Sequence, residues 1–142
     1  MENGKDISEI LNPVFPSEYT GLITVSDIKV HSLCPHHLLP VTMKISFSYL
    51  PGEKVVGLSK IIRFLKEIAK QPIKQEDLTK SIVDEFSKSL KCKGCFCIIK
   101  ANHLCMEMRG VEKHANITTS ALNGDFLKDS NLKEEVLKLL KC

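Results

Sequence analysis

No stretch of the chain approaches the roughly 18 consecutive apolar residues that span a bilayer, which argues against an integral membrane protein. The first residues, MENGKDISEILNPVF, lack the basic-then-apolar pattern of an export signal, and a cytoplasmic protein is expected. The sequon at Asn116 is then incidental. Charge of one sign is scarce as well. The 20 basic residues are interspersed with 17 acidic ones, a net of +3, so the broad basic footprint of a nucleic-acid binder is missing. There is no internal repeat and no low-complexity linker.

What remains is an ordinary soluble composition, 43% apolar and 26% charged, in 142 residues, enough for one domain with a real core. Residues 1–20, with Pro13 and Pro16 and little periodicity, read as an arm preceding a single domain over 21–142. LITVSDIKVHS (22–32) alternates imperfectly and is rich in β-branched residues, predicting a strand. VTMKISFSYLP (41–51) alternates again and ends in a Pro51-Gly52 turn. Leu58, Ile61, Ile62, Leu65 and Ile68 recur at helical spacing, and Leu78, Ile82, Phe86 and Leu90 mark a second helix. Strand character returns at 94–106 and 116–122, and a C-terminal helix carries Leu132, Val136, Leu139 and Leu140. The order ββααββα predicts an α+β domain with an antiparallel sheet, whose open edge oligomerisation could cover.

Six cysteines without an export signal read as thiols or metal ligands rather than a disulfide framework. SLCPHHLLP places Cys34 and His37 within reach of one ion, and NHLCM supplies Cys105 with His103 two positions earlier. Cys2His ligation with one position left for water describes a catalytic zinc site. Zinc lowers the pKa of its water to about 7, and His36 and His103 would flank it as proton carriers. A rival set exists in KCKGCFC, where Cys92 and Cys95 have structural-zinc spacing and Cys97 follows, but core or near-surface thiols are the simpler reading of these. His31 reads as a strand residue, and His114 and Cys142 as bystanders.

GLSKIIRF sets Ser59, Lys60 and Arg63 at a helix start, where backbone amides and cations can cradle a polyphosphate. A solvated basic face is the simpler alternative. Arg109 could add a cation from the far side of a cleft. Gln75 and Glu76 could grip a guanine edge, although Gln-Glu at a helix start often only caps.

Together and in this order, SLCPHH, SYLPGEKVVGLSKIIR, KQEDLT, NHLCMEMRGV and TTSALNGDF resemble GTP cyclohydrolase I, from about Thr24 to Phe126. The resemblance implies the tunnelling fold, a four-stranded antiparallel sheet with two helices on one side, assembled into a toroidal decamer with active sites at subunit junctions. It implies Zn2+ on Cys34, His37 and Cys105, and proton transfer by His36 and His103. Gln75 and Glu76 would hold guanine, and Ser59, Lys60, Arg63 and Arg109 the triphosphate. The reaction would convert GTP to 7,8-dihydroneopterin triphosphate and formate, the entry to pterin and folate synthesis. Two further readings share these residues: a related hydrolase that takes another purine nucleotide or stops after ring opening, and a silent nucleotide- or pterin-binding paralogue. Three features depart from the family: Pro35 replaces a usual Glu, Gln71 and Asp77 stand where arginines are general, and only 33 residues precede Cys34.

Overall fold

In the computed structural model, which describes residues 7–33, 38–103 and 116–140, four strands form one antiparallel sheet. These are β2 (Ile23–Leu33), β3 (Pro40–Leu50), β5 (Gly94–His103) and β6 (Ile117–Leu122), in the order β2-β3-β5-β6. Short strands β1 (Val14–Pro16) and β4 (Lys54–Val56) pair separately. The helices are α1 (Leu58–Ile68), α2 (Gln75–Leu90), a single turn α3 (Asp125–Lys128) and α4 (Ser130–Leu140). The expected α+β order is therefore present.

Alternation along the strands separates two cores. On one face Met43, Ile45, Phe47 and Tyr49 of β3 join Cys95, Cys97, Ile99 and Ala101 of β5. α1 and α2 cover this face with Ile61, Phe64, Leu65, Leu78, Ile82 and Phe86. Phe86 is the centre of an aromatic cluster, with ring centroids 4.6 Å from Phe47, 4.8 Å from Tyr49 and 5.8 Å from Phe64. The opposite face buries Phe96 and Ile98 against Phe126, Val136 and Leu140 of α3 and α4. Of the apolar positions assigned to the last helix, Val136 and Leu140 are buried, whereas Leu139 is 53% exposed.

The imperfect alternation of β2 has a local cause. Val25 pairs with Phe47 and Ile28 with Ile45, so β2 carries one extra residue in a bulge, with Asp27 at a positive φ of 57°. The bulge brings the Asp27 amide to Ser46 Oγ at 3.2 Å, giving that buried hydroxyl a partner. Ahead of Gly21 the arm is docked on the domain: residues Ile7–Leu11 form a 3-10 turn that inserts Leu11 into the helix-side core.

Candidate functional site

Strand register brings the chemistry-bearing segments to one end of the sheet. Leu33, the last residue of β2, lies opposite Pro40, so the segment holding Cys34, His36 and His37 leaves and re-enters the sheet at this end. His103, the last residue of β5, lies opposite Val41, and Ser32 is Val41's other partner. The segment that continues to Cys105 and Arg109 therefore departs from the same row. Cys34, Pro35, His36, His37, Cys105 and Arg109 themselves lie outside the described residues, as do His114 and Cys142. For His103 only the backbone position is described. Among the described residues no group of three His, Cys, Asp or Glu could hold a metal.

The helix connection comes to the same end. Ser32 Oγ donates to the Gln71 carbonyl at 3.5 Å, tying the end of β2 to the segment between α1 and α2. Gln75, 5% exposed at the start of α2, turns its side chain to the sheet. Its Nε2 faces the carbonyls of Ile99 (3.3 Å) and Ile117 (3.0 Å) and the hydroxyl of Thr119 (3.1 Å). Thr79 extends this network, donating to the Gln75 carbonyl at 2.7 Å and lying 2.7 Å from Thr119 Oγ1. The capping alternative for Gln75 is thus replaced by a tie between α2, β5 and β6; Lys74 is the N-cap and has no side-chain cap. Glu76 and Asp77 are exposed in the first turn, where carboxylates complement the helix dipole.

Ser59, Lys60 and Arg63 lie at the other end of the helical layer. α1 starts after Gly57, has no acidic residue in its first turn and no side-chain cap there. A groove of about 380 Å³ runs along its outer face, lined by Ser59, Ile62, Arg63, Lys66, Glu67 and Lys70. Lys66 and Lys70 were not singled out in the sequence, although their spacing from Arg63 places them on its helical face. One of these cations is compensated, since Lys70 pairs with Glu67 at 2.9 Å. Arg63 and Ser59 are exposed and Lys60 is half-buried.

The rival thiols are part of the fold. Cys95 and Cys97 are fully buried on the helix-side face of β5, and Cys92 is half-buried beside them. Burial pushes the Cys95 and Cys97 thiols well up from the ordinary range.

Comparison with known proteins decides the family. The GTP cyclohydrolase I family model matches residues 2–141. The chain belongs to the GTP cyclohydrolase I family. It is 48% identical to GTP cyclohydrolase 1 of Aquifex aeolicus over 124 residues, covering 87% of this chain and 67% of that protein. It is 43% identical to GTP cyclohydrolase 1 of Campylobacter jejuni subsp. doylei over 138 residues, covering 96% and 73%. The archaeosine synthase QueF-Like, solved in its apo form, superposes with a TM-score of 0.59 at 14% identity, covering 75% of this chain and 97% of that one. That likeness concerns the fold and agrees with the tunnelling arrangement expected of a GTP cyclohydrolase I. No helix among the described residues is long and apolar enough to cross a membrane.

Proposed function

We propose that this chain hydrolyses GTP to 7,8-dihydroneopterin triphosphate and formate at a zinc site shared between copies of itself. Family membership supports the activity. The single structural observation that supports the site is the convergence of the two ligand-bearing segments and the start of α2 on one end of the sheet.

Cys34, His37 and Cys105 would hold the zinc, and two thiolates with one imidazole are a donor set that suits it. When bound, zinc supplies Lewis acidity and a water acidified to near neutrality. His103 would hold a proton at N7 of the purine as the five-membered ring opens. His36 would exchange protons with the ribose as it opens and rearranges before the second ring closes. Imidazoles suit both tasks because donor and acceptor must interchange near neutral pH.

Glu76 would accept from N1–H and the exocyclic amine of guanine, and Gln75, anchored to β5 and β6, would fix its position. Ser59, Lys60, Arg63 and Arg109 would contact the triphosphate. The groove that holds Ser59 and Arg63 lies on the outer face of α1, turned away from its own sheet. A second copy is the natural source of the zinc end that faces this groove, which is how a toroidal assembly, a decamer in this reading, would complete the site. A cytoplasmic location accompanies this reading.

The test is to incubate zinc-loaded protein with GTP and measure formate together with neopterin fluorescence after oxidation. Equal amounts of both are expected. Formate without neopterin would move the assignment to an enzyme that stops at the opened ring, and intact GTP would remove it.

A further inference from the structure

Where α2 hands over to β5, two sulfurs and a hydroxyl meet. α2 ends in a left-handed Lys91 (φ 56°, ψ 44°), whose amide still bonds the Ser87 carbonyl at 2.9 Å. This turn folds Cys92 back so that its Sγ lies 3.2 Å from Cys95 Sγ at the start of β5. Ser87 Oγ lies 3.1 Å from the Cys95 sulfur and 3.9 Å from the Cys92 sulfur. Asn123 holds the group: its Nδ2 donates to Ser87 Oγ at 2.8 Å, and its Oδ1 accepts from the Cys95 amide at 2.8 Å. Nothing in GTP hydrolysis uses these residues.

We propose that Cys92 and Cys95 form an oxidisable dithiol, a modification site whose substrate class is a hydroperoxide and whose product is a Cys92–Cys95 disulfide. Two observations beyond the sulfur contact divide the roles. Cys92 is half-buried and Cys95 fully buried, so an oxidant reaches Cys92 first. The hydrogen bond from Cys95, helped by Ser87, also lowers the Cys92 thiol, whereas burial raises that of Cys95. The thiolate is the reactive form, so Cys92 attacks and Cys95 resolves.

The steps balance. The Cys92 thiolate attacks one peroxide oxygen, an S–O bond forms and the O–O bond breaks. The leaving hydroxide or alkoxide takes up the proton that the Cys92 thiol released to solvent, giving water or an alcohol and leaving Cys92 as a sulfenic acid, oxidised by two electrons. Cys95 sulfur then attacks the Cys92 sulfur, the S–S bond forms, and the S–O bond breaks as hydroxide departs. The Cys95 proton joins that hydroxide to give water, and Ser87 Oγ, close to both sulfurs, is placed to pass it. An external dithiol reverses the bond by exchange. Cys97 lies two residues further along the same strand face, about 7 Å away along the strand, and is no competitor for the Cys92 sulfur.

The experiment treats folded wild-type protein with near-stoichiometric hydrogen peroxide, blocks remaining thiols with iodoacetamide and digests with trypsin. The expected product is the Cys92-Lys93 dipeptide linked through Cys95 to the Gly94–Lys100 peptide, released again by dithiothreitol. In Cys95→Ser the Cys92 thiol should be consumed at a similar rate but end as sulfinic acid. Absence of the link in folded protein, a link to Cys97 instead, or loss of Cys92 only after unfolding in urea would each overturn the proposal.

Discussion

Gln75 donates its buried side-chain amide to the Ile117 carbonyl at 3.0 Å, joining the first residue of α2 to the first residue of β6. The same nitrogen lies within reach of Ile99 and Thr119, so one side chain sets how α2 sits over the end of the sheet. Gln75→Leu removes the donor and leaves buried acceptors unpaired, which should cost about 1–3 kcal/mol. Urea unfolding followed by circular dichroism checks this. A loss of GTP turnover larger than the loss of stability implies would come from displacement of Glu76.

Glu76 makes the opposite case, since its side chain is exposed in the first turn of α2. Glu76→Gln should leave the melting temperature within about 2 °C, the scale of a small surface change. Turnover of GTP should fall at least tenfold, because the carboxylate's charged bond to guanine is lost. Steady-state kinetics on matched, equally folded samples would read this directly.

Phe86 touches Phe47, Tyr49 and Phe64 at the centre of the helix-side core. Phe86→Ala leaves a cavity that neither the sheet nor α1 can close, and should cost about 3–5 kcal/mol. Gly124 offers a sharper local test. It sits at φ 60° and ψ −134°, and a Cβ there would fall on the Lys93 carbonyl oxygen. Gly124→Ala should therefore destabilise by at least about 1–3 kcal/mol through backbone strain alone.

The alkaline limb of stability has a defined sign. Burial raises Tyr49 above its ordinary value of 10.0, against the opposing hydrogen bond from the Val56 amide. Above that pH the unfolded chain loses a proton that the native chain keeps, so stability falls as pH climbs towards the native value and is unaffected below it. The buried thiols of Cys95 and Cys97 act in the same direction from about 9.0. Cys92, lowered from 9.0, acts in the opposite sense below that value, so denaturant midpoints should decline between about pH 9 and 11, and Tyr49→Phe should flatten the upper part of that decline.

Zinc content tests the ligand set independently of turnover. Cys105→Ala should lose most bound zinc, whereas Cys92→Ser and Cys97→Ser should retain it. Full zinc in Cys105→Ala would remove Cys105 from the ligand set.

Most of the fold was legible because apolar period and element length agree: every assigned face of α2, and of β3 at Met43, Ile45, Phe47 and Tyr49, is buried as its spacing requires. The β2 bulge was visible only as spoiled alternation, since one extra residue reverses which positions face the core. Leu11 was unreadable for a different reason: a single apolar side chain on a non-periodic segment carries no signal until its long-range partners are known. The candidate site was legible as types and spacing, but the Gln75 tie depends on Ile117 and Thr119, more than 40 residues away. Short-range pattern has no access to such a partner. The Cys92–Ser87–Asn123 group was hidden likewise, because Asn123 lies more than 30 residues beyond the other two.

A shared GTP site is tested most directly by mixing two inactive variants, Arg63→Ala and His103→Ala, after dissociating and reassembling them together. If the phosphate groove of one copy faces the zinc end of another, mixed assemblies contain junctions with both wild-type residues and regain a substantial fraction of formate and neopterin production. Wild-type protein taken through the same cycle supplies the reference. A mixture that stays as inactive as its components, beside an active reference, would contradict a site built from two copies.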